Sequence, residues 1–152
     1  MNPSDQPGIR FTGVELLGLT FAIRGEVPDR IATGLHLTVD RRIAEDGQSL
    51  DVVIRGDLFK KVASEERPPA EFKFALRGHF VYGETPNMSW DTFAVDHAPA
   101  HLIPYVRELI GNVTTRSPLP TLNIGPVNVK AMVERGTAEF LFSQETKKAQ
   151  EV

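Results

Sequence analysis

The stretch Phe72-Lys-Phe-Ala-Leu-Arg-Gly-His-Phe-Val-Tyr82 sets large apolar residues against Lys73, Ala75, Arg77, His79 and Val81 at every second position. Successive side chains of an extended chain point to opposite faces, so this period of two predicts a β-strand with one buried face. Three runs upstream read the same way. Leu35, Leu37 and Val39 alternate with His36, Thr38 and Asp40, and Leu50, Val52 and Ile54 alternate with Asp51, Val53 and Arg55. Phe11, Leu17, Leu19, Phe21 and Ile23 share one parity, which Val14 and Leu16 interrupt. The separators are turn-like: Gly25 to Pro28, Glu45-Asp46-Gly47, and Glu65-Glu66-Arg67-Pro68-Pro69. Asp46-Gly47 between alternating runs is a hairpin signal, because glycine accepts the positive φ such turns need. Four strands on short connections predict an antiparallel meander whose apolar face another layer must cover.

That layer follows Gly83, where the period changes. Leu102, Ile103, Val106, Leu109, Ile110 and Val113 recur at spacings of three and four, which predicts an amphipathic helix from Leu102 to Thr115. Pro104 suits its first turn, and Ser117-Pro118-Leu-Pro120 ends it. Asn128 reads as the N-cap of a second helix carrying Val129, Met132 and Val133. The predicted class is α+β: a four-stranded antiparallel meander, a long helix, an apolar connecting loop and a C-terminal helix.

At 152 residues the chain is read as a single domain, 1–152, with short polar tails at 1–8 and 143–152. A formal charge of -3 argues against nucleic acid as a partner. With no cysteine there is no disulfide framework, thiolate metal site or cysteine nucleophile. The first residues carry neither a basic nor an apolar leader segment. The longest mostly apolar run, Val14 to Ile23, is about half the ~20 residues a membrane span requires. A soluble, cytoplasmic protein without membrane association is expected.

No enzyme is legible. There is no Gly-x-Ser-x-Gly elbow, and Asn123-Ile-Gly-Pro-Val-Asn128 lacks the second glycine and lysine of a phosphate loop. Glu65-Glu66 sits in a polar turn, where solvation accounts for it. His97 and His101, four apart, would share a helix face with Asp91 or Asp96 nearby. A third ligand at defined spacing is missing, Ala98 stands where a metalloprotease helix needs glutamate, and Pro99 interrupts the segment. No metal and no cofactor is expected, and His36 and His79 fall on the polar parity as surface residues.

What stands out instead is apolar sequence in a loop context, Pro118, Leu119, Pro120, Leu122, Ile124, Gly125, Pro126 and Val127. Such a loop either packs onto its own sheet or helix, or leaves a groove for something else to fill. Pro104-Tyr-Val-Arg-Glu-Leu-Ile110, then Thr115-Arg116, then Pro120-Thr-Leu-Asn-Ile-Gly-Pro-Val-Asn128 resembles the C-terminal signature of the SecB export chaperones. The likeness is close over about thirty residues, and the strand order before it agrees loosely.

The resemblance implies a non-enzymatic, ATP-independent holdase that keeps unfolded preproteins or nascent chains unfolded for export. It implies a homo-oligomer, a dimer or dimer of dimers, pairing through the sheet and the long helix at Leu102, Tyr105, Val106, Leu109, Ile110 and Val113. It implies a client groove at Leu35, Leu37 and Val39, at Leu122, Ile124 and Val127, and at Val129, Met132 and Val133. In that family, acidic residues on the sheet dock the SecA motor. The matching positions here are Gly18, Ala22 and Lys73, and Lys147 and Lys148 stand where an acidic tail would be. These departures bring in a second expectation, a SecB-like chaperone dedicated to one partner such as the antitoxin of a toxin–antitoxin pair. A more distant one is a small apolar ligand enclosed between sheet and helix.

Overall fold

The four alternating runs form β1 (Ile9–Ile23), β2 (Arg30–Ile43), β3 (Ser49–Leu58) and β4 (Ala70–Tyr82). The computed structural model describes residues 8–59, 68–84, 86–126, 128–135 and 137–145, with Ala32, Asp96, Val129 and 137–145 described by backbone alone. Glu65, Glu66 and Arg67 of the third expected turn lie outside the described residues, as do most of both expected tails.

The β2–β3 hairpin closes at Asp46-Gly47 as expected. Gly47 takes φ +69°, a left-handed value that glycine adopts without a Cβ clash. Its N–H donates to Ala44 O at 2.9 Å, and the Gln48 N–H donates to Asp46 Oδ1 at 3.0 Å. Strands β2, β3 and β4 then form a meander. β1 instead lies beyond β4 and pairs with it, so residues 24–29 carry the chain across the sheet.

The broken parity of β1 has a cause in its pairing. Register shifts between Phe11 and Gly13 and between Leu16 and Gly18 each insert one extra residue. Each bulge reverses which parity faces inward, so two of them restore the original phase. Phe11 therefore opposes Phe80, Leu16 opposes Leu76, Leu19 opposes Phe74 and Phe21 opposes Phe72, all on one face.

Three helices cover that face: α1 (Trp90–Asp96), α2 (Ala98–Thr115) and α3 (Val129–Arg135). The short α1 was not legible in the periodicity. Ser89 caps it, accepting from the Thr92 N–H at 3.2 Å. Trp90 ties it to the sheet, stacking on Tyr82 at 4.1 Å and donating from Nε1 to Gly47 O at 2.7 Å. α2 begins four residues before the expected Leu102, with Pro99 in its first turn and Pro104 inside it. Pro104 has no N–H for the carbonyl four residues back, so one rung of the helix ladder is missing.

A fifth strand, β5 (Thr137–Glu145), runs antiparallel along the outer edge of β2. The full order is β1-β4-β3-β2-β5. Residues 143–145, expected as the start of a polar tail, belong to this strand. The α+β class with its antiparallel sheet, long helix and short final helix is as read from the sequence, and β5 is added to it.

The core lies between sheet and helices, where Leu35, Leu37, Leu50, Ile54, Leu58, Phe72, Phe80, Leu102 and Ile110 are fully buried. Two inward-facing glycines set its thickness. A Cβ on Gly56 would come within 2.2 Å of the Phe74 ring, and one on Gly78 within 2.5 Å of Leu102 Cδ2. The other sheet face is polar, paired as Arg24–Glu71, Arg55–Asp40, Arg77–Glu15 at 2.6 Å and His79–Asp51 at 2.5 Å.

Candidate functional site

The apolar segment after α2 is packed, and its hydrogen bonds show what holds it. Thr114, fully buried at the end of α2, donates from Oγ1 to Ile110 O at 2.7 Å. The same oxygen accepts from the Leu122 N–H at 3.0 Å. Ser117 Oγ donates to Thr114 O at 2.8 Å and accepts from the Leu119 N–H at 3.1 Å. Arg107 reaches over from α2 to donate to Gly125 O at 3.2 Å. With its backbone held this way, the segment inserts Leu119, Leu122 and Ile124 into the core. Asn128 caps α3 as expected, its Oδ1 accepting from the Ala131 N–H at 3.0 Å.

Of the residues expected to line a client groove, Leu35, Leu37, Leu122, Ile124 and Met132 are buried together in the core. Val39 packs against that core half-buried, and Val133 is half-buried on α3. Val127 and the Val129 side chain lie outside the described residues. The structure thus gathers the β2, loop and α3 residues into one apolar layer, which in this conformation is closed by its own members. Leu119 belongs to that layer as well. Its place between two prolines marked it as turn, and the polar anchors at Thr114 and Ser117 gave no sequence signal.

The helix residues expected at an assembly surface divide in two. Leu102, Val106 and Ile110 are fully buried within the subunit, because α2 lies directly on Gly78 and the middle of the sheet. They are core positions of the subunit. Leu109 and Val113 are half-buried, and Tyr105 is 37% exposed. Exposed apolar surface lies instead on the edge strand β1, where Leu16, Leu17 and Leu19 are 52%, 46% and 45% exposed. Their broken alternation had hidden them.

On the polar sheet face, Gly18 opposes Ala75, Thr20 opposes Lys73 and Ala22 opposes Glu71. Gly18, Ala22 and Lys73 therefore share one patch, whose Lys73 Nζ lies 3.9 Å from Glu71 Oε1. That patch has mixed charge. His97 and His101 sit in an aromatic nest, with His101 5.8 Å from both Phe11 and Phe80 and 6.1 Å from Phe93. Burial against these rings, and then the nearby charge of His97, hold the His101 pKa below its ordinary value. Among the described residues no three His, Asp or Glu side chains converge as a metal site. No helix among them is long and apolar enough to cross a membrane.

Residues 30–139, from the start of β2 into β5, match the family profile described as preprotein translocase subunit SecB. The chain belongs to the SecB family. SecB proteins are chaperones rather than an enzyme class, and the matched span contains the whole apolar layer. Among solved structures the fold is similar to the Mycobacterium tuberculosis Rv1957 SecB-like chaperone in complex with a ChAD peptide from the Rv1956 HigA1 antitoxin. That likeness has a TM-score of 0.60 at 21% identity and covers 78% of this chain and 90% of the other. It supports the SecB-like fold.

Proposed function

We propose that this SecB-family chain is an ATP-independent holdase that keeps extended polypeptide from folding or aggregating. The observation that carries the reading is the family match over the layer formed by β2, the α2–α3 loop and α3. Aliphatic and thioether side chains such as Leu35, Leu37, Leu122, Ile124 and Met132 bind by burial, which is tolerant of client sequence. Each fully buried client side chain would contribute about 1.5–3 kcal/mol. Several such sites along one client add through their high effective concentration. Because the layer is packed on itself, a client gains access by replacing contacts the chain now makes internally. The purified protein is expected to suppress aggregation of a chemically denatured client at stoichiometric amounts, without nucleotide. Undiminished light scattering at a molar excess of the protein would sink the reading.

Two client classes follow. The first is unfolded preproteins or nascent chains held in the cytoplasm for export through SecA. The second is one dedicated partner, such as an antitoxin. The similar Mycobacterium chaperone is bound to an antitoxin peptide, and Gly18, Ala22 and Lys73 stand where the family's acidic SecA-docking residues would be. Both support the dedicated role. A pull-down from the native host separates the classes, since one dominant partner marks the dedicated role and many preproteins mark export. For assembly, the outer edge of β1, without a strand partner among the described residues and bearing Leu16, Leu17 and Leu19, is the surface we assign to pairing of two subunits. An unpaired edge bearing large apolar side chains invites a second strand.

A further inference from the structure

Strand β2 is bonded on both sides, and the two ladders differ in kind. Along its inner edge Leu35 to Ile43 pair with β3, itself a central strand held by β4. Along its outer edge Arg30 to Thr38 pair with β5, from Arg30 opposite Glu145 to Thr38 opposite Thr137. Beyond Thr38, β2 continues to Ile43 with a partner on the β3 side only, among the described residues. β5 itself rests on β2 and α3 and is an outer strand of the sheet, bonded to β2 alone among the described residues. An edge strand held by a single ladder is the cheapest part of a sheet to open, because only one edge of bonds is lost.

We propose that the outer edge of β2 is a strand-addition site for client polypeptide, and that β5 is an intramolecular placeholder which clients displace. This rests on the holdase reading and gives it a docking geometry. Leu35 and Leu37 of β2 lie in the same buried layer as Leu122, Ile124 and Met132. A strand added at this edge would thus lie against the closed apolar layer. Main-chain hydrogen bonds to β2 are indifferent to client sequence, and alternate client side chains supply the selectivity. The positions of β5 opposite Thr33, Leu35 and Leu37 are Phe142, Phe140 and Ala138. The client chemistry is accordingly an extended segment antiparallel to β2, with large apolar residues at alternate positions. A placeholder also keeps a bare edge from pairing between copies of the protein.

The chain has no cysteine, so a single engineered pair can lock the strand. His36 lies directly opposite Glu139. Directly opposed residues of antiparallel strands have Cα atoms about 4.5–5.5 Å apart, within disulfide reach. The double variant H36C/E139C would be titrated, oxidised and then reduced with dithiothreitol, against fluorescently labelled, reduced and carboxymethylated α-lactalbumin as the unfolded probe. Oxidation is expected to weaken binding by about tenfold or more, with full recovery on reduction, because the lock depletes the competent conformer. In the full chain, Leu141→Pro removes one β5 N–H from the segment opposite Gly34 and is expected to tighten binding. Equal affinity of the oxidised and reduced forms overturns the placeholder and leaves the holdase reading intact. If the unlocked, unsubstituted protein does not bind the unfolded probe, the holdase reading falls and the placeholder with it.

Discussion

Two positions show how single residues set this structure. Gly78 on β4 lies so close beneath α2 that a Cβ there would meet Leu102 Cδ2 at 2.5 Å, and Leu102 is fully buried with little freedom to move. Gly78→Ala is expected to cost about 1–3 kcal/mol as the helix or the Leu102 rotamer shifts. Urea denaturation measures this, and an unchanged midpoint would mean the layers tolerate the methyl group. At His101 the chemistry is electrostatic. Its pKa is lowered in the folded chain by burial and by His97, whereas in the unfolded chain it titrates near its ordinary value of about 6.5. As pH falls through that value the unfolded state takes up a proton that the folded state resists. Stability is therefore lost on acidification and regained as pH rises. Urea midpoints at about pH 7.5 and 5.5 should differ more for the wild type than for His101→Gln, which lacks this contribution.

At the scale of elements, the α2–α3 loop is held by buried polar groups as much as by its apolar side chains. Thr114 Oγ1 ties helix to loop, donating to the Ile110 carbonyl and accepting from the Leu122 N–H. Thr114→Val keeps the shape and strands the Leu122 N–H, so it should destabilise by about 1–3 kcal/mol. Hydrogen exchange offers a local readout. The Leu122 amide should lose protection in the variant, and if it does not, the hydroxyl is not what fastens the loop. Sequence periodicity located α2, the Asn128 cap and the β2–β3 hairpin, because caps, turns and helix stripes are written in residues a few positions apart. It passed over α1, whose seven residues are too short to show a period, and β5. β5 had a signal, since Thr137, Phe140 and Phe142 are strand-favouring residues directly after Gly136. The polar residues around it masked that run.

For the molecule as a whole, β1 and β5 are the two edges of one sheet, and the structure treats them differently. The β1 edge carries Leu16, Leu17 and Leu19, each at least 45% exposed. If this edge joins subunits, Leu16→Glu with Leu19→Glu should reduce the assembly to a smaller species in gel filtration with light scattering, with circular dichroism unchanged. An unaltered mass would move assembly away from β1. The residues expected at an interface differ in their place within the subunit. The helical stripe named Leu102, Val106 and Ile110, which the fold spends on its own core, and Tyr105, which stays outside.

Local pattern by itself determined which residues form β1 to β4, where most of the long helix runs, which sheet face is apolar, and the motif that places the chain among SecB chaperones. Those properties repeat over two to four residues or sit in one short segment, so neighbouring side chains suffice to encode them. Only the tertiary structure decided that β1 crosses to β4, that β5 closes the edge of β2, and that Leu119, Leu122 and Ile124 complete the core. Each of those depends on which of several apolar surfaces and open strand edges, distant in sequence, finds the better partner. Periodicity marks a surface as apolar and leaves its partner open.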